Sequence, residues 1–182
     1  MLTLQQFQAA KERLPAIIHD TPLVHSIPFS RESDNETYIK MENLQTTGSF
    51  KIRGAYNKIS KLTAEEKKAG LIASSAGNHA QGVAYAAQKL GVSATIVMPK
   101  TAPLIKVEAT KSYGAKVILC GDVYDEAFAE AKRLMEEENL VFIHPFNDLD
   151  VIEGQGTIGL EILHALPQTD CIVAPIGGGG LI

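Results

Sequence analysis

The sequence predicts an α/β fold in which parallel strands are covered on both faces by helices, and three observations predict it. From about residue 70, short runs rich in Val, Ile and Leu alternate with helical patterns. The strand runs are Leu71 to Ser74, Ala94 to Met98, Val117 to Cys120 and Val141 to His144, and the helices between them are Asn78 to Leu90, Pro103 to Tyr113 and Tyr124 to Glu138. That order is βαβαβαβ. The strands lack polar alternation, as expected when neither sheet face meets water. Gly91 and Gly114 stand just past the first two of these helices, where a left-handed residue caps the last carbonyls.

The preceding chain reads less regularly. Thr3 and Gln6 form a capping-box pattern for a helix running to about Leu14, which Pro15 ends. Asp20-Thr21-Pro22 and then Pro28 predict an extended, irregular connection, followed by a short strand from Thr37 to Met41. Ile52, Ala55, Tyr56, Ile59 and Leu62 repeat at helical spacing from Ser49, and a second capping box at Thr63 and Glu66 opens a short helix closed by Gly70. At the far end a helix from about Gly154 to Leu166 leads into a strand-like run, Cys171 to Pro175, and then Gly177 to Gly180.

Composition narrows the function classes. Of 182 residues, 45% are hydrophobic and 21% charged, so a packed core is expected and disorder is not. The formal charge of −4 leaves no basic excess for a nucleic-acid backbone. No apolar run approaches the roughly 20 residues of a membrane span and the first ten residues lack a signal core, so a cytosolic location is expected. Cys120 and Cys171 each lie in an apolar run, where a thiol acts as a small hydrophobe, and neither reads as a disulfide half or metal ligand.

Three loops could bind ligands. Successive glycines from Gly177 to Gly180 can turn backbone N–H groups toward one phosphate, although a flexible segment reads the same way, and the run matches neither a P-loop nor a dinucleotide fingerprint. Ser74-Ser75-Ala76-Gly77-Asn78-His79 lies where a strand meets a helix, where free amides suit a carboxylate. Ordinary helix capping by Ser75 or Asn78 explains that loop as well. Lys51 falls in the first turn of a helix, where the dipole opposes an ammonium; burial there would lower its pKa and make it a nucleophile toward carbonyls. A solvated lysine is the plainer reading of that position.

Together these segments resemble a family. Gly48 to Ala55 (GSFKIRGA), Ala73 to Gly82 (ASSAGNHAQG) and Gly177 to Leu181 resemble, in order, the signatures of threonine dehydratases, fold type II pyridoxal-phosphate enzymes. Met98-Pro99, Tyr113-Gly114-Ala115, His144-Pro145-Phe146 and Gly154 to Thr157 are similar between those motifs, so the likeness covers essentially the whole chain. The resemblance implies a three-layer, tryptophan synthase β-like architecture of two small lobes. A small domain from 70 to 147 would hold a four-stranded parallel sheet, and residues 1 to 69 with 148 to 182 would form an incomplete large cofactor domain. It also implies pyridoxal 5'-phosphate as cofactor. Lys51 would bond to its aldehyde, Phe50 pack beside its ring, Asn78 bind its ring oxygen, and Gly177, Gly178, Gly179, Gly180 and Leu181 take its phosphate. Ser75, Ala76, Gly77, Asn78 and His79 would hold the amino-acid carboxylate.

The implied reaction removes the Cα proton with the Lys51 amine, expels the β-hydroxyl, and yields ammonia with 2-oxobutanoate from threonine or pyruvate from serine. Cysteine synthases fit worse at His79-Ala80, and threonine synthases at Ile52-Arg53. Serine racemases resemble the chain nearly as well but carry a serine acid/base at the position of Ala76; alanine exchanges no proton, which favours dehydration. Because the family's large domain continues past the glycine loop, the remaining readings are a homo-oligomer, pairing with a second polypeptide bearing the C-terminal half, the N-terminal part of a longer product, or a non-catalytic binding module.

Overall fold

A computed structural model describes residues 1–182. Helices α1 (Leu4–Arg13), α2 (Ile27–Ser33), α3 (Lys51–Ser60) and α4 (Ala64–Ala69) precede a four-stranded parallel sheet of β3 (Leu71–Ser74), β4 (Ala94–Met98), β5 (Lys116–Leu119) and β6 (Val141–Phe142). Helices α5 (Asn78–Leu90), α6 (Leu104–Ser112) and α7 (Tyr124–Glu137) connect those strands, and α8 (Leu149–Ala165) follows them. The strand order is β5-β4-β3-β6. A second, small sheet pairs β1 (Leu23–His25) with β2 (Tyr38–Lys40) in antiparallel register.

Both faces of the parallel sheet are covered, as the uniform apolar runs require. Leu71, Ala73, Ala94, Ile96 and Met98 share one cluster with Ile52, Ala55 and Ile59 of α3 and Ala80, Val83, Ala84 and Ala87 of α5. The intervening residues Ile72 and Val97 point the other way, into Ala127, Ala131 and Leu134 of α7. Alternate strand residues therefore hold two helical layers to one sheet.

Helix ends follow their caps. Gly70 and Gly91 close α4 and α5 with φ of 95° and 66°, which only glycine adopts freely. At α4 the box is reciprocal: Glu66 N–H donates to Thr63 Oγ1 at 3.2 Å and Thr63 N–H to Glu66 Oε2 at 2.8 Å. Three expectations need correction. Pro28 does not keep its segment extended, because it sits in the first turn of α2, where its missing N–H costs nothing, and Ser26 caps that helix. The last helix starts five residues earlier than expected, since Asp148 Oδ1 accepts from Asp150 and Val151 N–H. Cys171 to Pro175 forms no strand: it pairs with no strand of either sheet, and Cys171, Ile172 and Val173 are exposed, so Cys171 is no buried hydrophobe.

Helix α3 is the central element, packed on α5 along one side and α8 along the other. A Cβ on Gly154 would lie 2.5 Å from the Arg53 carbonyl oxygen, and one on Gly54 would lie 2.5 Å from Gln155 Nε2, so α3 and α8 touch through bare backbone. At that crossing the Arg53 side chain has no exposure. Its guanidinium grips Glu42 through Nε and Nη2, both at 2.8 Å, and Glu161 at 2.6 and 2.8 Å. Lys40 adds a 2.7 Å pair to Glu161, so two cations balance two carboxylates. A second set follows along the helix: Lys58 meets Asp148 at 3.0 Å and Asp150 at 3.1 Å, and Lys61 meets Glu153 at 2.8 Å.

Candidate active site

The lysine identified from sequence is the first residue of α3, and its side chain is half-buried. Phe50 precedes it, with the ammonium 5.4 Å from the ring centre. Lys51 Nζ donates to the Pro145 carbonyl at 2.7 Å, and no carboxylate lies within ion-pair distance of it. Burial, which penalises the charged form, lowers its pKa. The amine is therefore easier to deprotonate than a surface lysine.

Backbone geometry fixes where that amine sits. A Cβ on Gly82 of α5 would lie 3.0 Å from the Lys51 carbonyl carbon and 3.1 Å from the Ile52 nitrogen, so α5 approaches the first peptide of α3 closely because residue 82 has no side chain.

The glycine loop is next to the lysine. A pocket of about 240 Å³ is lined by Phe50, Lys51, Phe146, Pro175 and residues 177–181. The loop wraps the Phe146 ring: a Cβ on Gly178 would fall 2.2 Å from Phe146 Cγ, and one on Gly180 would fall 2.8 Å from Phe146 Cα. Three expected site elements, Phe50, Lys51 and Gly177 to Leu181, thus meet around one cavity. Phe146 completes its wall, and the His-Pro-Phe segment quoted above was the signal for it.

The loop from Ser75 to His79 reaches the same segment through His79. Ser75 Oγ accepts from Gly77 N–H at 3.2 Å, and Asn78 begins α5. Residues 75 to 77 are half-buried and Asn78 is exposed, its Oδ1 accepting from Lys106 Nζ at 3.2 Å. His79 is buried, and its Nε2 lies 2.9 Å from the Ile143 carbonyl oxygen. A carbonyl only accepts, so Nε2 carries the hydrogen and Nδ1 is a bare acceptor with no partner. Burial above all, with the Lys51 and His144 charges, pushes the His79 pKa down to about 4 and keeps it neutral. Its side chain therefore has no free donor for a carboxylate, and only its main chain has that capacity. Residues 75 to 79 do not line the glycine pocket; they join it through Ile143 to Phe146, which His79, Lys51 and the glycines hold at successive positions.

The neighbouring polar atoms are left open. Thr47 Oγ1, Ser49 Oγ and Ser74 Oγ are buried without a hydrogen-bond partner, as is Asn57 Oδ1 further along α3. None of these hydroxyls lines the pocket, although Ser49 immediately precedes Phe50 of its wall. A phosphorylated carbonyl compound fits the set: a run of glycines lining the cavity for the phosphate and an amine that burial makes easier to deprotonate for the carbonyl.

Comparison with known proteins agrees. Residues 14–182 match the pyridoxal-phosphate dependent enzyme family, and the chain belongs to it. It is 56% identical over all 182 residues to the L-threonine ammonia-lyase of Thermotoga maritima, of which it covers 45%. In structure it is similar to threonine deaminase isoform 2 from Solanum lycopersicum, with a TM-score of 0.91 and 44% identity over 98% of this chain and 52% of that one. Maize serine racemase is similar too, with a TM-score of 0.94 and 39% identity over 98% of this chain and 54% of that one. The chain spans about half the length of the relatives it matches.

Proposed function

We propose that the chain carries the lysine, phosphate and carboxylate elements of an ammonia-lyase that converts L-threonine to 2-oxobutanoate and ammonia, and L-serine to pyruvate. One observation carries the reading: a lysine without an acidic partner opens a helix beside a glycine-lined pocket. The names of the similar proteins support the substrate class. Pyridoxal phosphate, when bound, supplies a carbonyl and a conjugated ring that delocalises the charge left on Cα. Gly177 to Leu181 would hold the phosphate through backbone amides, and Phe50 and Phe146, which line the same cavity, would lie beside the ring. The main-chain donors of Ala76, Asn78 and His79, with Ser75 Oγ, would orient the substrate carboxylate. The other two N–H groups of that loop are already used, Ser75 N–H donating to the Val97 carbonyl and Gly77 N–H to Ser75 Oγ. Lys51 Nζ takes the Cα proton, a role suited to an amine whose pKa burial has lowered.

The reading extends to organisation. Residues 70 to 147 form the small domain, and 1 to 69 with 148 to 182 belong to the cofactor domain, in a cytosolic enzyme that self-associates or pairs with a further polypeptide segment. A racemase is the second reading, favoured by the similarity to maize serine racemase, but Ala76 offers no proton on the face opposite Lys51.

The test adds pyridoxal phosphate to the purified chain, reduces with borohydride and maps the adduct, with 2-oxobutanoate, pyruvate and D-serine assayed on the same sample. The expected result is an adduct at Lys51, lost in Lys51→Ala, and oxo-acid well ahead of D-serine. No adduct overturns the reading for this chain, and D-serine formed as fast as pyruvate transfers it to the racemase.

A further inference from the structure

The functional reading leaves Lys106 unused. It lies in the first turn of α6, where a cation opposes the helix dipole and gains nothing from it. The side chain is half-buried, yet no carboxylate is within ion-pair distance, in contrast to the half-buried Lys40 and Lys58, which both have one. Its one side-chain hydrogen bond is to Asn78 Oδ1, at 3.2 Å. Asn78 is the first residue of α5 and the residue that the functional reading gives to the ring oxygen of the cofactor.

Donor chemistry makes the contact directional. An ammonium has three donors and no acceptor, so the Asn78 amide can face it only with its oxygen. The amide Nδ2 is then turned away from Lys106 and donates to no protein atom. Without that tie the amide could flip and offer a ligand either an acceptor or a donor.

We propose that Lys106 is a positioning residue that locks the Asn78 amide so that its NH2 group faces the ligand. The locked site selects a ligand oxygen that accepts, namely the ring oxygen in its deprotonated form, and rejects a hydroxyl that must donate there. The unpaired charge of Lys106 adds a favourable field for the same anionic oxygen. The inference rests on the functional reading for the identity of that oxygen, and goes beyond it in assigning what orients the donor.

The experiment titrates the purified chain with pyridoxal phosphate and reads the dissociation constant and the ratio of visible to near-ultraviolet absorption, which reports the protonation of the ring oxygen. Variants are Lys106→Met, Lys106→Arg, Asn78→Ala and the Lys106→Met/Asn78→Ala double. Lys106→Met should weaken binding about tenfold, equivalent to about 1.4 kcal/mol, and shift absorption toward the near-ultraviolet form. Lys106→Arg, also a pure donor, should restore both readouts. In the Asn78→Ala background Lys106→Met should add less than twofold, because the effect passes through the amide. Independent, additive losses would overturn the proposal, as would wild-type spectra in Lys106→Met. If the wild-type chain forms no adduct with pyridoxal phosphate, the functional reading and this inference fall together. Normal binding by wild type with an inert Lys106→Met removes the inference alone.

Discussion

The two ends of α3 are built on opposite rules. From Arg53 to Lys61 its charged side chains are matched: Arg53 holds Glu42 and Glu161, while Lys58 and Lys61 hold Asp148, Asp150 and Glu153. At its start Lys51 has a backbone carbonyl for a partner, and Thr47 and Ser49 just before it bury hydroxyls that bond to nothing. The charges along the body of the helix are paired within the protein, whereas the ammonium at its N-terminal turn has no carboxylate. Paired charge is thus concentrated where no ligand is expected, and an unpaired cation where one is, which lets a ligand gain what the fold alone leaves unused.

Breaking the satisfied end should have the largest effect. Arg53→Met leaves the largely buried Glu42 carboxylate without a cation and Glu161 with Lys40 alone, and should cost about 3–5 kcal/mol in chemical denaturation; a loss below about 1 kcal/mol would mean that the crossing does not depend on its ions.

Acid sharpens the comparison by acting at different pH on His79 of α5 and on the α8 carboxylates that pair with α3. The unfolded chain protonates His79 near 6.5 but the folded chain only near about 4. Between those values the unfolded state binds more protons, so stability should fall by about 3 kcal/mol as pH drops through that window and then level. Glu161 and Asp150, raised by burial but lowered further by bonds from Arg53 and Lys40 and from Lys61 and Lys58, sit below the ordinary carboxylate range. Their contribution is present above about pH 4 and is lost below it. His79→Gln, which keeps a donor for Ile143 and does not titrate, should abolish the first phase and leave the second. A first phase that persists in that variant would assign it elsewhere.

Gly154→Ala should cost about 1–3 kcal/mol, because its methyl meets the Arg53 carbonyl and α8 must move; thermal melts that coincide with wild type would show that the crossing has slack. The smallest change belongs to the unsatisfied end. Lys51→Met removes a half-buried amine with no acidic partner and should leave unfolding free energy within about 0.5 kcal/mol of wild type. A large loss of stability there would make the lysine part of the scaffold.

What could be read from sequence depended on whether the cause was local. Helix α5 and strands β3 and β4 have the bounds expected, because glycine and the strand-to-helix turn punctuate them within a few residues. Helix α2 was hidden because proline breaks a helix in its interior but not in its first turn. Cys171 to Pro175 has strand composition but no strand to pair with, and pairing is tertiary. Lys51, Phe50 and the glycine loop could be found because their motifs are contiguous, and the cavity joins them. The Arg53 clamp joins residues 11 and 108 positions apart, and the signal for it was an arginine beside the apolar positions of α3. The Lys106–Asn78 contact spans 28 positions and needed coordinates to be seen.

The bare Cα of Gly82 reaches furthest. Since α5 leans directly on the peptide that carries Lys51, the turn bearing Asn78 and the base of the lysine are parts of one rigid lever. A methyl at residue 82 would leave both motifs intact in the sequence yet wedge them apart, so a reader scanning only for the familiar letters would pass over the change that misaligns them.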